Sequence, residues 1–142
     1  MSKNCAVILA AGEGKRMKAN KPKPMMEVLD RPMIDWVLDA VDASGVKDTI
    51  LVVGAYGEQL VDHCGDRSAI CWQKERLGTG HAVMMALDYL NASDAENVLI
   101  LNGDAPFMDA ATIAESLALH EANGNAVTVI SARLDEPFGY GR

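Results

Sequence analysis

Residues 7–25, VILAAGEGKRMKANKPKPM, decide how the rest of the chain reads. An apolar run from Val7 to Ala11 opens into Gly12-x-Gly14, and positions 15–23 then carry Lys15, Arg16, Lys18, Lys21 and Lys23 with no acid among them. Such a run, free of polar alternation, is a strand buried on both faces. The glycine-rich turn at its end lets backbone N–H groups approach a ligand closely. The 142-residue chain is nevertheless acidic, with 13 basic and 20 acidic side chains and a net charge of -7. Without the five cations of the loop, 8 basic residues face 20 acidic ones, a net charge of -12. That remainder repels polyanions, and the loop has no aromatic residue on which bases could stack, so a small anion fits better than a nucleic acid. A solvated lysine-rich loop is the plainer alternative.

Hydrophobic residues make up 49% of the chain, enough to build the core of one domain. No charged leader with a cleavage site precedes an apolar run, and no stretch approaches the roughly 18 apolar residues of a membrane span. A cytoplasmic location with no membrane partner is therefore expected. Cys5, Cys64 and Cys71 are odd in number and lack a C-x-x-C pairing, so they read as reduced thiols, with Cys5 and Cys71 inside strands.

Apolar runs alternate with segments of helical period. In RPMIDWVLDAVDASG, Met33, Ile34, Val37, Leu38 and Val41 share a helical face, Pro32 suits a first turn and Gly45 suits the stop. DTILVVG, AICWQ, NVLILNGD and AVTVISAR read as the second to fifth strands. Helices fall in GEQLVDHC, in GTGHAVMMALDYL with Val83, Leu87 and Leu90 on one side, and from an Asp109 cap to about Ala122. The pattern predicts an α/β fold with an open doubly wound, mostly parallel sheet. Ligands of such sheets sit beyond the carboxyl ends of the strands, near the point where strand order reverses. AAGEGKR, QKERLGTG and NGDAP all end there.

Met17 stands where a dinucleotide fingerprint has its third glycine, and the Walker pattern is absent, which argues against a dehydrogenase and a P-loop enzyme. A glycine-rich turn followed by guanidinium and ammonium groups remains, an arrangement suited to a triphosphate. Asp104, beside Gly103 at a strand end, is either a Mg²⁺ ligand or a turn cap before Pro106. Gly78 and Gly80 open a helix that either meets an anion or base edge or simply turns the chain. Gln73 carries a donor and an acceptor on one amide, which suits a base edge, or is an ordinary loop residue. His81 has no partner at ligand spacing and reads as a capping or packing residue.

LAAGEGKRM, Pro22-Lys23, Asp30-Arg31-Pro32-Met33, Gln73 with LGTGHA, NGDAP and FGYGR occur in the order and spacing of the sugar-nucleotide pyrophosphorylases. Over essentially its whole length the chain resembles the uridylyltransferase domain of bacterial bifunctional N-acetylglucosamine-1-phosphate uridylyltransferase/glucosamine-1-phosphate acetyltransferases. The resemblance implies a Rossmann-like nucleotidyltransferase fold. Leu9, Ala10, Ala11 and Gly12 would line the nucleotide, with Gly14 in the same turn, while Arg16 and Lys23 hold its phosphates. Gln73 would read uracil with Gly78 and Thr79. Asn102, Gly103 and Asp104 would face ribose, sugar and a Mg²⁺ cofactor on Asp104, and Gly141 would contact the sugar. Lys15 departs from the family's usual threonine, Asn102 from a common tyrosine and Pro24 from an aliphatic residue.

The implied reaction transfers UMP from UTP to N-acetylglucosamine-1-phosphate, giving pyrophosphate and UDP-N-acetylglucosamine, a cell-wall precursor. Arg16, Lys23 and Asp104 would be its catalytic residues. The family's domain continues past the equivalent of Arg142 with further sugar contacts and a second metal ligand, so residues 1–142 are expected to be its nucleotide-binding part, inactive alone. An oligomer is expected if an acetyltransferase domain follows. Another nucleotidyltransferase of the same fold, or a non-catalytic nucleotide-binding module, is the competing reading.

Overall fold

The structure, a computed structural model, describes residues 3–12 and 20–139. Along the chain come β1 (Asn4–Ala10), a hairpin of β2 (Glu27–Val28) and β3 (Arg31–Pro32), α1 (Met33–Ala43), β4 (Asp48–Val53) and α2 (Gly57–Cys64). Then follow β5 (Ala69–Trp72), α3 (Thr79–Met84), α4 (Leu87–Ala92), β6 (Asn97–Asn102) and α5 (Ala110–Asn123). Strands β5, β4, β1 and β6 form the main sheet in that spatial order, every neighbouring pair parallel. The chain thus builds outward from β1 to β4 and β5 and then returns to add β6 on β1's other side. Strand order reverses at β1, and a crevice opens there beyond the carboxyl ends.

Alternation along β1 explains the double winding. Ala6, Ile8 and Ala10 join a core with Ile34, Val37, Leu38 and Val41 of α1, Leu60 of α2 and Ile113 of α5. Cys5 and Val7 face the other side, against Ala82 and Ala86 from the α3–α4 region. Both sets are apolar because both faces are covered, which is why the strand shows no polar alternation. The five α1 residues expected on one face are all buried, and Asp109 caps α5 by accepting from the Thr112 N–H at 2.7 Å. That bond also holds the Asp109 carboxyl below its usual range.

Three expectations are corrected. Residues 126–133 form no strand; Val127 and Val129 are more than three-quarters exposed, and Thr128 is tied to His120 and Asn125 instead of to a ladder. Residues 126–130 and β6 line a common groove of about 640 Å³, so that part of the segment lies across a gap from β6 and makes no ladder with it. Strand β6 is not buried on both faces: Leu99 and Leu101 reach the core, whereas Val98 and Ile100 are 42% and 49% exposed. The helix expected from the LGTGHA motif to Leu90 divides at Met85–Ala86 into α3 and α4, and the buried side carries Ala82 and Ala86, while Leu87 is exposed. Small residues there let the broken helix lie close to Val7 and Val52.

The hairpin escapes a reading of the sequence, because its turn is Leu29-Asp30 and not one of the glycine or asparagine pairs that mark such turns. Both residues have positive φ, 54 and 59, and Leu29 is 78% exposed. A type I′ geometry, favoured by the twist of the flanking strands, demands this, and left-handed backbone costs an ordinary side chain about 1–2 kcal/mol. Changing Leu29-Asp30 to Asn-Gly is expected to raise unfolding free energy by about 1 kcal/mol in urea titration; a loss of stability would show that the turn is held by something other than its two central residues.

Candidate active site

The parallel register aligns Leu9 with Asn102, Ala10 with Val53 and Val53 with Trp72, so four strands end in one row. Beyond that row lies a cavity of about 580 Å³, within the usual range for a small-molecule site. Among its lining residues are Leu9, Ala10, Ala11, Gly12, Lys23, Gln73, Gly78, Thr79, Asn102 and Asp104. The expected site residues from three separate loops therefore meet at one place. Gly14, Arg16 and Gly141 lie outside the described residues.

Local chemistry sets each wall. At the end of β4, a Cβ on Gly54 would stand 2.8 Å from the Ala11 carbonyl oxygen, so the β1 loop can pass only because that position is glycine. Gln59 donates to the Asn20 carbonyl at 2.9 Å and anchors the far end of the basic loop on α2. Pro22 and Pro24 flank Lys23 in a 3-10 turn closed by Met25 N–H to Pro22 O, 2.9 Å, and Met26 N–H to Lys23 O, 3.0 Å. Fixed φ at both prolines holds the lysine backbone over the cavity.

Gly103 sits under this turn and is not among the residues that line the cavity. Its N–H donates to Leu9 O at 2.9 Å, and an added Cβ would lie 3.3 Å from Ile34 Cδ1, Leu9 O and Pro24 Cγ. Gly103 therefore serves packing, because its bare Cα lets the Lys23 turn settle on the β1–β6 seam. As a result Lys23 Nζ donates to Asp104 Oδ2 at 2.6 Å, with the lysine and carboxylate side chains 45% and 33% exposed.

Gln73 is 5% exposed at the end of β5, where its N–H extends the ladder to Val53 O at 2.8 Å. Its Nε2 donates to Gly78 O at 3.1 Å and lies 2.9 Å from His81 Nδ1. The side-chain donor expected to meet a base edge is thus engaged within the protein. Gly78 reaches this carbonyl position with φ of 103, a backbone open to glycine. Helix α3 runs for only six residues, too short for its dipole to matter much. Sequence reasoning misses two side chains as site members: Arg76, which lines the cavity from QKERLGTG, and His81, whose contact with Gln73 crosses a loop. The basic residue in a glycine-flanked loop is the available signal for Arg76.

Outside the cavity, Asp35, His63 and Cys64 place ligand atoms within 4.8 Å of one another. His63 and Asp35 already bond at 2.8 Å, Arg31 stands 3.9 Å from the same carboxylate, and burial pushes the Cys64 thiol up to about 11. A protonated thiol and a paired carboxylate make this a strut between α1 and α2.

The profile of the MobA-like NTP transferase domain matches residues 6–142. The chain is 46% identical over its whole length to the bifunctional protein GlmU of Heliobacterium modesticaldum and 47% identical over 96% of its length to that of Thermoanaerobacter pseudethanolicus. It spans 31% and 29% of those relatives' lengths. Its fold is shared with a nucleotidyl transferase from Methanothermobacter, TM-score 0.69 at 20% identity over 81% of this chain and 56% of the other. Rv0371c of Mycobacterium tuberculosis gives a TM-score of 0.71 at 22% identity, over 85% of this chain and 62% of the other.

The Lys23–Asp104 pair is half-solvated, and such pairs contribute little to stability. Lys23→Ala, Asp104→Ala and the double variant are each expected to stay within about 1 kcal/mol of the parent in a urea cycle. A loss of about 3 kcal/mol or more in either single variant would make the pair a structural element.

Proposed function

The chain belongs to the MobA-like NTP transferase domain family, and from that membership we propose that it is the nucleotide-binding part of a uridylyltransferase acting on UTP and N-acetylglucosamine-1-phosphate. The convergence of the β1 loop, Lys23, Gln73, Gly78, Thr79, Asn102 and Asp104 on one cavity carries the reading. Its products are UDP-N-acetylglucosamine and pyrophosphate, and a cytoplasmic location and a role in cell-wall precursor supply belong to the same proposal.

The nucleophile is the phosphate oxygen of the sugar-1-phosphate. A phosphate monoester has its second pKa near ~6, so this oxygen is ionised at neutral pH and no general base is needed. It bonds to the α-phosphorus of UTP in line with the departing pyrophosphate, whose bond breaks as the new one forms. The remaining difficulty is to bring two anions together, which calls for positioning and charge neutralisation. The N–H groups of the β1 loop and the ammonium of Lys23 supply part of this, with Arg16 and Gly14 assigned to the same role. Sugar contacts are assigned to Asn102 and Gly141, with Gly103 supporting that wall from beneath.

Mg²⁺ fits the donor set of this wall. Asp104 offers a carboxylate whose hydrogen bond from Lys23 uses Oδ2, and Asn102 lines the same cavity with an amide that carries an oxygen donor for such an ion. When bound there, the ion would neutralise phosphate charge. Asp104 would hold it, and the Lys23 ammonium would face the triphosphate.

Calorimetric titration of the chain with UTP in Mg²⁺, beside pyrophosphate release by the full-length protein, tests this reading. Lys23→Ala should weaken UTP binding about ten- to hundred-fold, the usual worth of a hydrogen bond to a charged group. Asp104→Asn in the full-length protein should lower pyrophosphate release about 100-fold or more while the melting temperature holds. No UTP binding, or turnover within a few-fold of the parent at every Mg²⁺ concentration, would overturn the reading.

A further inference from the structure

We propose that His81 is the positioning residue for base selection: it locks the Gln73 amide so that only the amide oxygen faces the cavity. The inference rests on the uridylyltransferase reading and adds a determinant to it. Gly78's carbonyl can only accept, so the Gln73 atom 3.1 Å from it must be the nitrogen. The same nitrogen lies 2.9 Å from His81 Nδ1. An amide nitrogen has no lone pair to offer, so Nδ1 accepts and the imidazole proton sits on Nε2. Both N–H bonds of Gln73 are then committed inside the protein. Among the described residues, no fully buried side-chain nitrogen or oxygen lacks a partner, and the Gln73 oxygen takes part in none of its bonds. That oxygen is therefore not sealed inside the protein, and in the proposed lock it faces the cavity that Gln73 lines.

A subsite with a lone acceptor pairs with a ring N–H. Uracil presents N3–H there. Cytosine presents a bare N3, which would set two acceptors against each other, and a polar group left unpaired in this way lowers affinity about ten- to hundred-fold. Gly78 alone cannot enforce the choice, since one hydrogen bond leaves the second N–H of the amide free to turn toward a ligand. The imidazole fixes the second N–H, so removing its acceptor should admit cytosine.

Calorimetric titration of the chain with UTP, CTP and tripolyphosphate decides the matter. The parent is expected to prefer UTP over CTP at least about ten-fold. His81→Leu should cut that preference several-fold with tripolyphosphate affinity unchanged, and His81→Asn, whose amide oxygen can accept, should restore it. An unchanged UTP/CTP ratio in His81→Leu, or equal loss for all three ligands, would overturn the assignment while leaving the uridylyltransferase reading intact. No binding of either nucleotide by the parent would overturn that reading and this inference with it.

Discussion

One close approach holds the site together: the Gly103 N–H donates to Leu9 O at 2.9 Å, at a position where a Cβ would press on Ile34, Pro24 and Leu9 at 3.3 Å. The bond continues the β1–β6 pairing just past the end of β6, so the loops after the two strands stay in step. Pro24 rests on this seam, and the turn it belongs to aims Lys23 at Asp104. The lysine and carboxylate are 81 residues apart in sequence and meet because strand order reverses at this place. Ligand crevices of doubly wound sheets have this origin, and here the crevice is closed by packing of a proline turn.

The charge pattern follows from the same geometry. A chain of net charge -7 gathers cations in the loop after β1, and the described end of that loop brings Lys23 to the cavity, where Arg76 also lies. Acidic residues elsewhere pair locally, as Arg31 and Arg67 do with Asp39 and Arg67 with Asp42 along α1. Burial alone would push the Asp39 carboxyl up, yet the two guanidinium groups hold it below its usual range. Those ion pairs belong to the outer surface, and none of their members lines the cavity.

The first strand, α1 and the cap of α5 are legible in the sequence because each is governed by local rules: an apolar run, a helical stripe, an aspartate before a helix. The site is legible for a similar reason, since three glycine-bearing loops follow three apolar runs and the fold class fixes where such loops meet. Residues 126–133 read as a strand because alternation and β-branched residues score a segment by itself, whereas a strand exists only with a paired edge. The uncovered face of β6 is hidden on the same ground: Val98 and Ile100 look like core in sequence, and only the position of α3 and α4 over β1 and β4 shows that nothing among the described helices covers them. Gln73 shows the finer limit. Its amide suits a base edge by its donor and acceptor, but the contacts of its nitrogen depend on Gly78 and His81, which a loop brings into place.

Nucleotide bound as proposed sits beyond the carboxyl ends of β1, β5 and β6, and not in the larger groove between β6 and residues 126–130. Amide chemical-shift mapping of the ¹⁵N-labelled chain on addition of UTP and Mg²⁺ tests it most directly. Shifts centred on Leu9–Gly12, Gln73–Thr79 and Asn102–Asp104, with Val98–Ile100 and Val127–Ile130 unmoved, are expected. Shifts centred on Val98–Ile100 and Val127–Ile130, with the first set unmoved, would contradict it.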